Sequence, residues 1–198
     1  MWNFFNLPLL VMWLVIAEAL TPQERDAVVE FHTKLRERVQ PPASSMQLMS
    51  YSNDLERLSE EWISHCAYEL PDEEVDTKYV GTGMFLTVQS ADGFNFISKL
   101  QAYGSEAKEY HYANNTCDSL CADYKMMVWS KTTEVGCAVQ LCSSSLLPYI
   151  RSYLIACLYK PGIPRVTERP YEKGRSCSKC PDGFECYRKQ CRLSSSEK

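Results

Sequence analysis

Ten cysteines constrain this chain of 198 residues more than any other feature of its sequence, and all of them lie between residues 66 and 191. An even number of cysteines in a secreted chain indicates a framework of disulfide bonds, whose connectivity the count alone leaves open. The last four, spaced C-x2-C-x5-C-x4-C, are also compatible with a four-thiolate zinc site. The secretory context described next favours disulfides. The ten are Cys66, Cys117, Cys121, Cys137, Cys142, Cys157, Cys177, Cys180, Cys186 and Cys191.

The N-terminus has the pattern of a secretory signal. Apolar residues run from Leu7 to Ile16, and a small-x-small sequence follows at residues 17–19. This pattern predicts a signal peptide at residues 1–19 with cleavage after Ala19, although no Lys or Arg precedes the apolar run. An uncleaved membrane anchor is the alternative, but the run is shorter than the roughly 20 residues that a span needs. We therefore expect a secreted, extracellular protein without a transmembrane span.

Charge is unevenly distributed along the chain. Residues 20–159 contain 11 basic and 19 acidic residues, whereas residues 160–198 contain 10 basic and 5 acidic residues. A basic tail could contact anionic glycans or lipid head groups, but a solvated tail explains the charge equally simply. We expect no nucleic-acid partner.

Apolar residues at helical spacing predict three helices. The first begins at Thr21, where Glu24 completes a capping box, and it must end by Gln40 because two prolines follow. The third extends from about Ala91 to Tyr110. The second begins at Ser52 or Asn53, and its apolar face comprises Leu55, Leu58, Trp62 and Cys66.

The rest of the chain favours strands and loops. Strands are predicted at 126–129, 136–141 and 149–159, which makes the fold class α+β. The acidic segment 71–76 could hold calcium, but it lacks the glycine and spacing of an EF-hand and is interpreted as a solvated loop. From residue 160 a Pro/Gly-rich linker leads into the last four cysteines, which must staple a tail too small to fold alone.

Five short motifs, taken in order, resemble those of one family. Residues 31–36 (FHTKLR) resemble its leucine-histidine-asparagine and leucine-arginine signature, and residues 42–46 (PASSM) resemble its proline-alanine-serine-x-methionine motif. Residues 122–129 (ADYKMMVW) resemble its glycine-histidine-tyrosine-threonine-glutamine motif with the tryptophan that ends it. Residues 133–137 (TEVGC) and 170–191 resemble its threonine-x-x-valine-glycine-cysteine motif and its vertebrate-type hinge. The chain thus resembles the CAP superfamily of cysteine-rich secretory, antigen-five and pathogenesis-related proteins.

The resemblance implies a three-layer α-β-α sandwich, the CAP or SCP-like domain, at residues 20–160. It implies a Pro/Gly linker and a cysteine-rich, hinge-like segment at residues 161–198. It also selects one disulfide pairing among the many that the count allows. The implied pairs are Cys66–Cys142, Cys137–Cys157, Cys117–Cys121, Cys177–Cys186 and Cys180–Cys191.

Members of this superfamily usually carry two histidines and two acidic residues in a central cleft that can bind a divalent metal. The resemblance places Leu70 at the first histidine, Thr82 at the first glutamate and Asp123 at the second histidine. Counting back from Tyr110 and Cys117 places the second glutamate at Gln101 or Ala102. The cleft is therefore predicted to be degenerate, with no metal, no cofactor and no catalytic residue, and Asp123 is interpreted as the mark of a lost site.

The three histidines do not restore the cleft. No two of His32, His65 and His111 have a ligand spacing such as i, i+4, so we expect structural roles for all three. Asn114 begins the sequon Asn-Asn-Thr, which predicts a glycan on an exposed loop.

These observations lead to one main expectation of function and two alternatives. The main one is a secreted, monomeric, non-catalytic CAP protein that binds extracellular proteins, lipids or sterols, with the lipid-binding residues left unassigned. The first alternative is a hydrolase that uses a variant metal or acid site, and the second is a protease inhibitor.

Overall fold

The computed structural model describes residues 19–143, 151–163 and 165–194. Most of the predicted signal peptide, the first two residues of the third predicted strand and the last four residues of the chain lie outside these ranges. The helices are α1 (Pro22–Glu37), α2 (Asn53–Ile63), α3 (Phe96–Gly104) and α4 (Ala122–Met127). The strands are β1 (Ser50–Tyr51), β2 (Gly83–Ser90), β3 (Tyr110–His111), β4 (Thr116–Cys117), β5 (Glu134–Ser143), β6 (Arg151–Lys160), β7 (Phe184–Tyr187) and β8 (Gln190–Leu193).

A four-stranded sheet in the order β1-β5-β6-β2 forms the middle layer of the molecule. The strands β5, β6 and β2 are antiparallel to one another, while the short β1 runs parallel to β5 at one edge. Because successive side chains of a strand point to opposite faces, β6 supplies Ile155, Cys157 and Tyr159 to one face and Leu154, Ala156 and Leu158 to the other. Both faces are covered, which confirms the predicted α-β-α sandwich.

Helix α1 begins as the sequence predicts. The Thr21 side chain accepts a hydrogen bond from the Glu24 backbone, and the Glu24 side chain accepts one from the Thr21 backbone. The helix ends at Glu37, before the two prolines. It packs with α3 over the face of the sheet that contains Phe85 and Ile155.

A buried arginine anchors α1 to the rest of the domain. The guanidinium of Arg36 donates hydrogen bonds of 2.9 to 3.4 Å to five backbone carbonyls, and its side chain is 1% exposed. Burial lowers the pKa of Arg36 to about 9. The charge is thus solvated by the backbone in place of water. The accepting carbonyls belong to Gln47, Met127, Trp129, Ser130 and Thr132.

Helix α2 covers the opposite face of the sheet and is capped by the Ser52 side chain. Its first turn lies directly on β5, because a Cβ at Gly136 would come within 2.3 Å of the Glu56 backbone nitrogen. Glycine is therefore required for this close approach. Beyond the helix, Cys66 has a positive φ of 56°, so it lies outside the helical face on which it was predicted.

Three details of the predicted elements are wrong. Residues 126–129 were predicted as a strand, but the first two of them are the last residues of α4 and the other two follow it directly. This apolar run is buried by packing and not by strand pairing. The third helix is shorter than predicted, since Asn95 caps it and residues 91–95 form a turn; a 3-10 helix, Ser105–Lys108, follows it. The strand β2 was not predicted, although it forms the edge of the sheet.

The C-terminal segment lies against the sandwich. Its hairpin β7–β8 is joined to residues 46–48 by two backbone hydrogen bonds of Cys191, 2.6 Å to Met46 and 2.9 Å to Leu48. The guanidinium of Arg188 bonds the carboxylates of Glu30 and Glu37 on α1. The tail is therefore held by the backbone and by charge pairs as well as by its own cysteines.

All ten cysteines are paired, and the pairs are those that the family resemblance implies. Cys66–Cys142 links the end of α2 to β5, and Cys137–Cys157 joins directly opposite residues of β5 and β6. The remaining pairs are Cys117–Cys121, Cys177–Cys186 and Cys180–Cys191.

Candidate functional site

Two of the four cleft positions lie on the segment 66–82, which we call the cleft loop. Leu70 is half exposed and Thr82 is buried, and together with Met84 they line a depression of only about 10 Å³. Leu70 has no ligand atom, and the Thr82 hydroxyl already donates a 2.6 Å hydrogen bond to the Tyr79 carbonyl. Neither residue can therefore take the part of the histidine or glutamate that the resemblance places there.

The third position, Asp123, has a carboxylate neighbour that the sequence analysis missed. Glu106, on the 3-10 helix after α3, accepts a hydrogen bond of 3.3 Å from the backbone nitrogen of Tyr124. Burial and then the nearby negative charge of Asp123 raise the pKa of Glu106 to about 7. Burial also raises the pKa of Asp123. Glu106 therefore feels the charge of Asp123, and near neutral pH Glu106 is partly protonated.

The family resemblance places the second acidic position at Gln101 or Ala102, not at Glu106. Gln101 and Ala102 are both exposed on α3, one turn before Glu106, whereas Glu106 lies beside Asp123. The placement of the family's second acidic position at Gln101 or Ala102 stays a prediction. The signal that could have drawn attention to Glu106 is an acidic residue two positions after Gly104, where the apolar periodicity of the third helix stops.

The three histidines have different environments in the fold. His32 is fully buried, donates from Nδ1 to the Val28 carbonyl (2.8 Å) and accepts at Nε2 from the Tyr159 hydroxyl (3.0 Å). Burial lowers its pKa to about 4, so the ring is neutral. His111 lies 2.8 Å from Asp118 at the surface, and His65 is exposed beside the Trp62 carbonyl.

The residues of this cleft do not fit a metal ion. Within residues 19–143, 151–163 and 165–194, no group of three or more His, Cys, Asp or Glu side chains has a metal-binding arrangement. The cleft supplies two carboxylates, one of them with a raised affinity for a proton, and no imidazole. Zinc sites in proteins are usually built from three or four such ligands.

A second concave site lies between the two helices on the other face of the sheet. A groove of about 580 Å³ separates α1 from α3 and the 3-10 helix after it. A Cβ at Gly104 would lie 2.9 Å from Cζ of Phe31, so this glycine lets the helices approach at the floor. The apolar lining consists of Ala27, Phe31, Leu35, Ile97 and Ala107, and the charged rim consists of Glu30, Lys34 and Arg38.

Asn114 lies in the turn of the β3–β4 hairpin and is exposed, which makes it accessible for the predicted glycan. In the described part of the chain, no helix combines the length and apolar character needed to cross a bilayer.

A three-layer sandwich with a stapled tail and a four-position cleft defines a CAP-type domain. The model of the Cysteine-rich secretory protein family (CAP) matches residues 29–159, and the chain belongs to this family. Its relatives include GLIPR1-like protein 1 of Mus musculus, 30% identical over 80% of the chain, and peptidase inhibitor 16 of Mus musculus, 28% identical over 87%. The chain spans 68% and 34% of the lengths of these two proteins.

Solved structures show the same fold. The crystal structure of Na-ASP-1 superposes with a TM-score of 0.72 at 23% sequence identity, and it covers 89% of this chain and 48% of its own chain.

Proposed function

We propose that this chain is a secreted, non-catalytic CAP protein that binds an aliphatic lipid, such as a long-chain fatty acid, in the groove between α1 and α3. The observation that carries the proposal is the groove itself. Its volume of about 580 Å³ lies within the range of about 300 to 1,000 Å³ that is usual for small-molecule sites. Its lining is apolar and its charges are at the rim, which is the arrangement that an amphipathic ligand needs.

The rim supplies a partner for a carboxylate. Arg38 is exposed at the C-terminal end of α1, where the negative end of the helix dipole also lies. Lys34 is one turn earlier, 3.1 Å from Glu30. Arg38 is therefore the residue that we assign to the lipid head group, because a guanidinium can bind a carboxylate with two parallel hydrogen bonds.

Two features support secretion. Five disulfides persist only in an oxidising compartment, and the N-terminal apolar run has the pattern of a signal peptide. The non-catalytic part of the proposal is supported by the composition of the cleft, where Leu70 and Thr82 supply no ligand or base.

Equilibrium binding of a fluorescent long-chain fatty acid to the secreted protein tests the proposal. We expect micromolar affinity, a loss of about tenfold or more for Arg38→Glu, and a similar loss for Ala27→Phe, which fills the groove. The matched control is Arg165→Glu, the same charge change at an exposed residue that does not line the groove. Equal losses for Arg38→Glu and Arg165→Glu, or no binding by the unaltered protein, would overturn the proposal.

A second candidate function is acid–base catalysis, favoured by the pair Glu106 and Asp123. A carboxyl group with a pKa near 7 beside a second carboxylate is a usual arrangement for proton transfer. Hydrolytic activity against ester and glycoside substrates, measured against pH, tests this alternative. Activity that follows a pKa near 7 and disappears in Glu106→Gln, but survives in Glu109→Gln, would favour the enzyme.

A further inference from the structure

Exposed apolar side chains are concentrated in one part of the sequence. Eight large apolar residues are exposed among the residues that the structure describes, and five of these lie between residues 68 and 88. Their exposed fractions range from 46% to 75%. A concentration of this kind marks an interaction surface more often than single exposed residues do. We call it the 68–88 surface, and its members are Tyr68, Leu70, Val75, Val80 and Val88.

The cleft loop and β2 together form this surface. The Tyr68 hydroxyl lies 3.4 Å from the Leu86 carbonyl, to which it donates, and Leu70 shares a depression with Met84. Met84, Leu86 and Val88 alternate along β2 and therefore point to the same face of the strand. Since β2 is the edge strand of the sheet, the surface continues to the rim of the sandwich.

The loop is fixed in place although its apolar side chains are exposed. Trp62 Nε1 donates a 2.8 Å hydrogen bond to the Glu69 carbonyl, and the buried Tyr79 donates to the Leu58 carbonyl (3.2 Å). The disulfide Cys66–Cys142 holds the start of the loop to β5. A surface that is already ordered loses little conformational entropy when a partner binds.

Acidic residues outnumber basic residues in the segment that contains the surface. Between residues 58 and 98 the chain contains eight acidic residues and a single basic one, Lys78. Lys78 is itself paired with Glu61. Five of the acids, Glu69, Asp72, Glu73, Glu74 and Asp76, lie within the cleft loop. The apolar patch is therefore embedded in a negative potential, which attracts basic partners and repels anionic membranes.

We infer that the 68–88 surface is a docking site for a protein segment that is both basic and apolar, one that presents Lys or Arg beside Leu, Val or aromatic side chains. The inference is independent of lipid binding, because the surface and the groove are on opposite faces of the sheet. Leu70, one of the predicted cleft positions, is part of this surface, whereas Thr82 of the same loop is buried.

A synthetic amphipathic peptide of leucine and lysine, labelled with fluorescein, is the probe. Fluorescence anisotropy would measure its binding to the secreted protein at about 50 and about 300 mM salt. The apolar variant is Leu70→Ser/Val75→Ser/Val80→Ser, and its control is Leu120→Ser, which changes an 80% exposed residue elsewhere. The charge variant is Glu73→Gln/Glu74→Gln, with Asp26→Asn/Asp182→Asn as its control.

The expected result is micromolar binding that weakens about tenfold in the apolar variant and loses most of its salt dependence in the charge variant. Both controls should bind like the unaltered protein, and a leucine–glutamate peptide should not bind. Equal weakening by Leu120→Ser, or unchanged binding by both test variants, would overturn the inference. So would a concentration-dependent dimer that disappears in the apolar variant, because the occupant would then be a second copy, or binding to phosphatidylserine vesicles without binding to the peptide.

Discussion

Helix α1 and the cleft loop differ in the hydrogen-bond partners of their polar side chains. Along α1 the buried polar groups of Arg36 and His32 are bonded to backbone and side-chain partners deep in the fold. In the cleft loop Leu70 is exposed, and Thr82 bonds only to its own turn. The first region has polar side chains with partners across the fold, and the second has none at these two predicted cleft positions.

The difference shows which constraint acts on each region. Arg36 cannot be replaced without leaving several carbonyls unpaired in the interior, so the fold itself preserves it. Nothing in the packing around Leu70 requires a histidine, since its side chain is half exposed. The conformation of the loop is held by other groups, among them the disulfide at Cys66.

We expect the largest effect from removing the disulfide Cys66–Cys142, which tests whether this covalent bond holds the cleft loop. Cys66–Cys142 closes a separation of 76 residues, and Cys117–Cys121 closes one of 4. Loop-closure entropy gives about 4.5 kcal/mol for the first and about 2 kcal/mol for the second. We expect Cys66→Ala/Cys142→Ala to lower the free energy of unfolding by roughly that larger amount in urea titrations. Equal losses for Cys66→Ala/Cys142→Ala and for Cys117→Ala/Cys121→Ala would contradict the interpretation.

Replacing Arg36 tests how strongly its buried hydrogen bonds stabilise the fold. Arg36→Ala should lower the free energy of unfolding by about 4 kcal/mol, because a buried hydrogen-bond network is removed and its carbonyls lose their donors. Arg38→Ala, two residues later and exposed on the same helix, should cost less than about 0.5 kcal/mol. Thermal and urea unfolding measure both. Similar losses for the two arginines would show that Arg36 contributes no more than a surface residue.

The next prediction concerns the pH dependence of stability at His32. Its pKa is lowered to about 4 in the folded protein, so between pH 6.5 and pH 4 the unfolded chain binds the extra proton. Stability should therefore rise with pH across this window, with His32 contributing about 3 kcal/mol, all of it lost below pH 4. Urea unfolding at several pH values measures the slope. His32→Gln should flatten it, and an unchanged slope would assign the effect to other groups.

The smallest effect is expected at Glu106, and it has the opposite sign. A carboxyl whose pKa is raised to about 7 destabilises the folded protein increasingly as pH rises from 4.5 through 7, because its ionised form is disfavoured there. Glu106→Gln keeps an oxygen for the Tyr124 backbone nitrogen and removes this cost. The variant should be more stable than the unaltered protein at pH 8 and no more stable at pH 5.

An exposed carboxylate provides the control for Glu106. Glu168→Gln should change the stability by less than about 0.5 kcal/mol. If Glu106→Gln behaved in the same way, the carboxyl pair with Asp123 would not be energetically coupled to folding.

The sequence predicted the elements whose local signals agree with their tertiary environment. The capping box at Thr21 and the apolar run of residues 136–141 each indicated the structure that is present. Residues 126–129 were predicted as a strand because a short apolar run fits a buried strand and a buried helix end equally well. Only packing on both sides, which a single sequence does not show, distinguishes the two.

Asp123 and Thr82 were named from the family resemblance, whereas no motif in the sequence indicated Glu106. The third helix was taken as one continuous element up to Tyr110. The helix in fact ends at Gly104 and tightens into a 3-10 turn, which changes the register of every residue after it. The groove between α1 and α3 could not be predicted, since its shape depends on how closely Gly104 lets the helices approach.

The contact between Arg188 and Glu30 connects the C-terminal tail to the groove. Glu30 lines the groove, and its carboxylate is 2.7 Å from a guanidinium nitrogen of the tail. A mutation at residue 188 therefore alters one wall of the groove while every lining residue stays the same.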